Sequence, residues 1–218
     1  MKQECRQRED GHLTRQKLLA CAEKLTAQKG FAAVTSKEIC QMAGVNVAAV
    51  NYHFGSREKL YEAMLYDVHD RIIDHTMLQD LAKSDLPPRQ KLEELMEYAL
   101  RAVERERWTD DVALALNVWL REVFNNTTAV IPIARQIMLV KFPWLMKLFG
   151  DYTGRKADDP ALYSGILGFM GPLAVLNLGS SLPLNREAKP LTYILQPEFI
   201  RQLKTFLFAG LDALRVKN

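Results

Sequence analysis

The sequence is short of the residues that build metal sites and disulfide scaffolds. Only three of its 218 residues are cysteines, Cys5, Cys21 and Cys40, and no two of them have the spacing of a zinc ligand pair or a redox dithiol. Two of the four histidines, His69 and His75, are six residues apart, a spacing that places them on different faces of a helix. We therefore expect no metal, no cofactor and no disulfide, and the cysteine content fits a reducing cytoplasm.

Segments that would carry the chain to or through a membrane are also lacking. The first twenty residues are charged and contain no apolar run of the kind found in secretory signals. The uncharged stretch from Leu162 to Leu184 is long enough to span a bilayer, but it contains Pro172, Asn177, four glycines and three serines. We therefore expect a helix buried in protein there, a cytoplasmic chain, and no membrane partner.

Charge is unevenly distributed along the chain. Residues 1–60 contain ten basic and six acidic side chains, whereas the remaining residues carry a net charge of −1. This asymmetry indicates a front segment that binds a polyanion, although a solvated helical face would give the same pattern.

Strand signals are nearly absent, and apolar residues recur at helical spacing almost throughout, so the fold is predicted to be all-α. The first helix is predicted from about Thr14 to Gly30, and a later long helix is predicted to begin at Ser56. Beyond the break at Pro87 and Pro88, further helices are predicted over about 88–107, 109–125, 129–149, 159–181 and 197–215.

The clearest helix boundaries lie between these first two helices. The segment Thr35 to Glu38 is a capping box, so a helix is predicted to begin at Ser36 and to end at Gly44. Asn46 can cap the next helix only two residues later. Two short helices joined by a tight turn and packed on a longer one form a helix-turn-helix. We therefore predict a three-helix DNA-binding domain over residues 1–56, followed by a helical domain over residues 57–218.

The segment from Asn46 to Phe54 suits a helix that reads the major groove of duplex DNA. Its small apolar residues can pack on thymine methyl groups, and Asn51 can pair with adenine. Basic side chains in the first turn of a flanking helix can hold a phosphate there. The candidate DNA-binding residues are Ser36, Lys37, Val47, Ala48, Ala49, Asn51, Tyr52, His53 and Arg57. Taken singly, Tyr52 could equally be a packing residue, His53 a structural histidine and Asn51 an exposed polar residue of a helix.

Residues 14–65 resemble the N-terminal domain of the TetR family of bacterial transcriptional repressors. The resemblance rests on Gly30-Phe31, the threonine cap, Ala43-Gly44-Val45 and Tyr52-His53-Phe54, in that order. It implies phosphate contacts from Ser36, Lys37, Tyr52, His53 and Arg57, and base contacts from Val47, Ala48, Ala49 and Asn51. Arg57 replaces the lysine usual at its position, which preserves the charge.

A single helix-turn-helix domain of this size buries too little surface against DNA for tight, specific binding. We therefore expect a homodimer that binds a palindromic operator. The last two predicted helices are the candidates for dimerisation. One carries a wide apolar face that includes Phe206 and Gly210, and the other contains Gly165, Gly168 and Gly171, which permit close backbone approach. The resemblance favours this dimer, and the alternative is a pair of core helices within one subunit.

The middle helices carry aromatic and methionine side chains at helical spacing, a pattern that usually belongs to a core. The resemblance implies a small-molecule pocket among them, and apolar walls suit a hydrophobic or aromatic effector. The candidate ligand-binding residues are Met96, Leu100, Asn117, Trp119, Arg121, Met138, Phe142 and Phe169. Arg121 could instead pair with Glu122 or Glu104 at the surface.

No nucleophile elbow, Gly-rich phosphate loop or ligand-spaced set of His and Cys is present in the sequence, so an enzyme is not expected. The predicted function is that of a ligand-responsive transcriptional repressor that binds double-stranded DNA. The alternative is a helical adaptor protein whose helix-turn-helix has lost DNA binding, with Phe142 and Trp144 as a docking patch.

Overall fold

In the computed structural model, which describes residues 2–100, 110–125, 130–181 and 196–216, all regular secondary structure is helical. The helices are α1 (Lys2–Lys29), α2 (Ser36–Ala43), α3 (Ala48–Phe54), α4 (Arg57–Ile72), α5 (His75–Lys83), α6 (Pro88–Leu100), α7 (Asp110–Phe124), α8 (Val130–Thr153), α9 (Pro160–Ser181) and α10 (Pro197–Ala213), with a 3₁₀ turn at Phe31–Ala33. The predicted all-α fold, with a helix-turn-helix at its front, is therefore confirmed.

Helix α1 begins twelve residues before the predicted start at Thr14. Its first ten residues are mostly Lys, Gln, Glu and Arg, which favour helix without forming an apolar stripe. A prediction based on apolar periodicity misses such a segment. Helix α1 ends where the sequence indicated, because Gly30 adopts a φ of 77° that other residues rarely reach.

Helix α2 has the ends that its local sequence predicts. The Thr35 hydroxyl accepts a hydrogen bond from the amide of Glu38 at 3.2 Å, and the Glu38 carboxylate accepts one from the amide of Thr35 at 2.9 Å. Lys29 also binds the Glu38 carboxylate, and these donors together hold the pKa of Glu38 at about 2. At the other end, Gly44 caps the helix in the left-handed conformation, with a φ of 68°.

Helix α5 was not predicted, and the helix that begins after Ser56 is correspondingly shorter. Asp74 caps α5 by accepting a hydrogen bond from the amide of Met77 at 2.7 Å. The amide of Asp74 donates to the Tyr98 hydroxyl at 3.3 Å, and the Lys141 ammonium donates to the carbonyl of Ile73. The break is thus stabilised by side chains distant in sequence. It also means that His75 and His69 lie on different helices.

The chain forms two compact units, and the first consists of residues 1–71 and 114–135. The predicted boundary after residue 56 falls inside this unit, which also takes in most of α4 and of α7. In it, α1 packs on α2 and α3. Its buried core includes Leu18, Ala22, Ile39, Val50, Leu60, Met64 and Leu65. This core joins the three helices of the helix-turn-helix to α4.

The second unit consists of residues 72–113 and 136–218. Its core contains an edge-to-face chain of aromatic rings in which Phe169 contacts both Phe149 and Phe208. Helix α9 packs closely on α10, since a Cβ atom at Gly165 would lie 3.1 Å from the side chain of Leu214. Residues 162–181 of the predicted buried stretch are therefore helical and packed in protein on one side, but Leu167 and Val175 on the other side are exposed, and residues 182–184 lie outside the described residues. None of the helices formed by the described residues combines the length and the hydropathy that a membrane span requires.

Candidate nucleic-acid interface

The short helix α3 is held by one face and presents the other to solvent. Val50 and Phe54 are buried, and Arg15 of α1 covers the Phe54 ring at 4.9 Å. Outside this buried pair, Val47 is 52% exposed, and Ala48 and Asn51 are also exposed. Helical spacing places Ala48 and Tyr52 on the side opposite Val50 and Phe54, whereas Val47 and Asn51 are exposed at the borders of the buried side.

The start of α3 is set by Asn46, as its sequence position suggested. The Asn46 side-chain oxygen accepts a hydrogen bond from the amide of Ala48 at 2.9 Å, and its carbonyl accepts one from the amide of Ala49 at the same distance. The Cys40 thiol lies 3.7 Å from the carbonyl of Val47, which ties the turn to α2. The outer face of α3 therefore has a fixed orientation relative to α2.

The predicted phosphate-binding residues differ in how far their side chains are exposed. Lys37 is exposed in the first turn of α2, and Ser36 is half-buried beside it. Tyr52 is 84% exposed, so in this chain it is not a core residue. Its ring contacts the half-buried His53 edge to face at 4.9 Å, and His53 lies next to Gly11 of α1. Hydroxyl, imidazole and ammonium donors thus border the exposed face of α3.

Arg57, the remaining predicted phosphate contact, is engaged within the protein. Its guanidinium donates hydrogen bonds to the carbonyls of Val34, at 2.9 Å, and Phe31. It also stacks on the Phe31 ring, with its central carbon 4.3 Å from the ring centroid. Arg57 therefore joins the first turn of α4 to the segment that precedes α2. Its side chain is half-buried.

Sequence reasoning missed the role of Glu122 in α7. This carboxylate is only 1% exposed, and it accepts hydrogen bonds from the Phe31 amide at 3.1 Å and the Tyr61 hydroxyl at 2.6 Å. The Tyr61 ring stacks on Phe31 at 4.2 Å, so Phe31 lies between Tyr61 and Arg57. No sequence signal links these residues, because Glu122 is separated from Phe31 by 91 positions.

The predicted ligand-binding residues are divided between the two units. Asn117, Trp119 and Arg121 belong to the first unit, where Trp119 contacts His69 and Arg121 donates to the carbonyl of Ala27 at 3.0 Å. The second unit contains Met96, Leu100, Met138, Phe142 and Phe169. Of these five, Met96, Leu100 and Phe169 are buried in the apolar core, Phe142 packs against its edge, and Met138 is exposed.

Residues 18–64 match the family model described as bacterial regulatory proteins, tetR family. A Shigella flexneri protein named HTH-type transcriptional dual regulator CecR is 27% identical over 181 residues, which cover 81% of each chain.

Two solved structures have the same fold. One is NalD, the secondary repressor of the MexAB-OprM multidrug efflux pump in Pseudomonas aeruginosa, with a TM-score of 0.61 and 22% identity over 93% of this chain and 97% of that one. The other is a Rhodococcus transcriptional regulator, with a TM-score of 0.62 and 16% identity over 94% of this chain and 99% of that one.

Proposed function

We propose that this chain is a transcriptional regulator of the TetR family, a DNA-binding protein and not an enzyme, and that it binds a palindromic operator as a homodimer. We assign base contacts to Val47, Ala48, Ala49 and Asn51 of the α3 region, and phosphate contacts to the basic and hydroxyl groups around it. The site of action is then the cytoplasm, where bacterial DNA is found.

The exposed outer face of α3 is the observation that carries this proposal. A recognition helix needs one face anchored in its own domain and small or polar side chains on the other, so that it can approach the base edges. Val50 and Phe54 supply the anchor, while Val47, Ala48 and Asn51 remain exposed. An adaptor protein that had lost DNA binding would not require small and polar side chains to be exposed on α3 outside its buried anchor.

The outer faces of α9 and α10 support a homodimer. Leu167 is 74% exposed and Phe206 is 71% exposed, and each belongs to a stripe of mostly small or apolar residues along its helix. At Gly168 and Gly210 an added Cβ atom would meet nothing within 4 Å, so a second backbone has room to approach. Exposed apolar stripes on two neighbouring helices are typical of an interface that a second copy covers.

We further propose that the protein represses transcription and is released by a small apolar or aromatic effector. The second unit supports this class of effector because its core is built from aliphatic and aromatic side chains, with Met96, Leu100 and Phe169 buried in it and Phe142 packed against it. A ligand that binds one arrangement of this core more tightly would shift the population of DNA-binding states by its difference in affinity.

The proposal is tested by selecting bound duplexes from genomic and random DNA, and by measuring affinity for the selected sequence against salt concentration. We expect binding that falls steeply with salt, because phosphate contacts release counterions. Lys37→Ala should lower the slope of log affinity against log salt by about 1. Lys156→Ala, which removes an exposed lysine of the second unit, should leave the slope unchanged. If the unmodified protein retained no duplex at low salt, the adaptor function would take the place of this proposal.

A further inference from the structure

Helix α7 contributes two side chains that hold the junction on which the helix-turn-helix depends. Besides Glu122, which binds Phe31 and Tyr61, Arg121 binds the carbonyl of Ala27 in the last turn of α1. That carbonyl and the Phe31 amide are backbone groups at helix ends, which need partners from outside their own helix. The partners come from α7, a helix distant in sequence.

Hydrogen bonds and ring contacts together form a continuous path from α7 to the residue before the cap of α2. Glu122 fixes Tyr61 and the amide of Phe31, and the Phe31 ring lies between Tyr61 and Arg57. Arg57 in turn binds the carbonyl of Val34, the residue before the Thr35 cap of α2. A displacement of Glu122 would therefore disturb the end of α1, the first turns of α4 and the approach to α2 together.

The connection of α7 to the second unit indicates what these hydrogen bonds do. Residues 114–135 belong to the first unit, whereas residues 72–113 before them and 136–218 after them belong to the second. Residues 114–135, which include most of α7, are thus preceded and followed in the chain by segments of the second unit. We infer that Glu122 is a positioning residue for DNA binding, through which α7 holds the junction of α1, the 3₁₀ turn and α4 that carries the reading helix. This inference rests on the proposed function.

The test compares full-length variants by hydrogen exchange and by affinity for the duplex selected with the unmodified protein. Glu122→Ala removes both hydrogen-bond acceptors, Glu122→Gln keeps one oxygen, and Tyr61→Phe removes one of the two donors. Glu23→Gln is the matched control, because Glu23 is a second buried carboxylate of the same unit that joins α1 to α4 through Arg71, at 2.6 Å.

For Glu122→Ala we expect exchange at least about tenfold faster at the Phe31 amide and in residues 57–61, with α2 and α3 as protected as before, and duplex affinity reduced about tenfold. Glu122→Gln should lose less affinity than the alanine variant, because its amide oxygen still accepts one hydrogen bond. Tyr61→Phe should show the same local pattern to a smaller degree. Glu23→Gln should leave the Phe31 amide protected.

Three results would overturn the inference. The first is unchanged exchange at the Phe31 amide in both Glu122 variants. The second is exchange that rises equally in α2 and α3, since that would mark a general loss of stability. The third is faster local exchange in Glu122→Ala with unchanged duplex affinity. Failure of the proposed function is distinct from all three, because the unmodified protein itself would then bind no duplex, and the inferred role in DNA binding would fall with it.

Discussion

Arg57 lies between the core of the first unit and the surface that we assign to DNA. Its charge sits in the first turn of α4, where a cation opposes the helix dipole unless an anion is near. The carbonyls of Phe31 and Val34 supply partial negative charge, and the Phe31 ring covers one side of the guanidinium. A planar group with several donors can make these contacts together, which a lysine could not.

Replacement of Arg57 should therefore affect folding as well as DNA binding. We expect Arg57→Ala to lower the free energy of unfolding by about 1–3 kcal/mol, because charged hydrogen bonds to two carbonyls are lost. Lys59→Ala, which removes a nearby exposed cation, should change it by less than about 0.5 kcal/mol. Urea unfolding of the two variants makes the comparison. Equal stability of the two would contradict the structural role of Arg57.

Asn51 should behave in the opposite way, since it is exposed on α3. We expect Asn51→Ala to leave the unfolding free energy within about 0.5 kcal/mol and to weaken binding to the selected duplex by about 1–3 kcal/mol. Competition with duplexes substituted at single base pairs would show relaxed discrimination at one position in each half-site. A uniform loss across all positions would assign Asn51 to phosphate instead.

The helices differ in how far their own sequence determines them. The ends of α2 and the start of α3 could be predicted because the capping residues lie within a few positions of the backbone groups that they satisfy. The separate helix α5 could not, because Tyr98 and Lys141 stabilise the break before it from distant parts of the chain. The same distinction explains why the exposed residues of the candidate interface were predictable, whereas Glu122 was not.

The cap of α2 should depend on pH in a defined range. Lys29 and the two Thr35 donors favour the charged form of Glu38, and its pKa falls from the ordinary 4.5 to about 2. The contribution of these hydrogen bonds to stability is therefore complete above pH 4.5, and it is lost as the pH falls towards 2.

Carboxyl chemical shifts in an NMR titration measure this pKa directly. In Thr35→Val, which removes the hydroxyl donor, the pKa of Glu38 should move back towards its ordinary value. A Glu38 pKa near 4.5 in the unmodified protein would mean that the capping box does not persist in solution.

At the scale of the whole molecule, the exposed stripes of α9 and α10 predict the oligomeric state. We expect the double variant Leu167→Glu, Phe206→Glu to raise the dimer dissociation constant at least about 100-fold, because it places unpaired charges in an apolar interface. Sedimentation equilibrium measures the constant. Leu13→Glu, which changes an exposed apolar residue of α1, is the control and should leave it unchanged. A dimer of undiminished strength in the double variant would exclude these stripes as the interface.

The contribution of α7 to the first unit bears on how this protein can be re-engineered. A fragment cut after Ile72 would retain every residue assigned to DNA, yet the Phe31 amide and the Tyr61 hydroxyl would lose their acceptor and the Ala27 carbonyl would lose its guanidinium donor. A chimera that grafts this operator specificity onto a foreign sensor therefore has to import residues 114–135 as well, or find equivalent groups in the recipient scaffold.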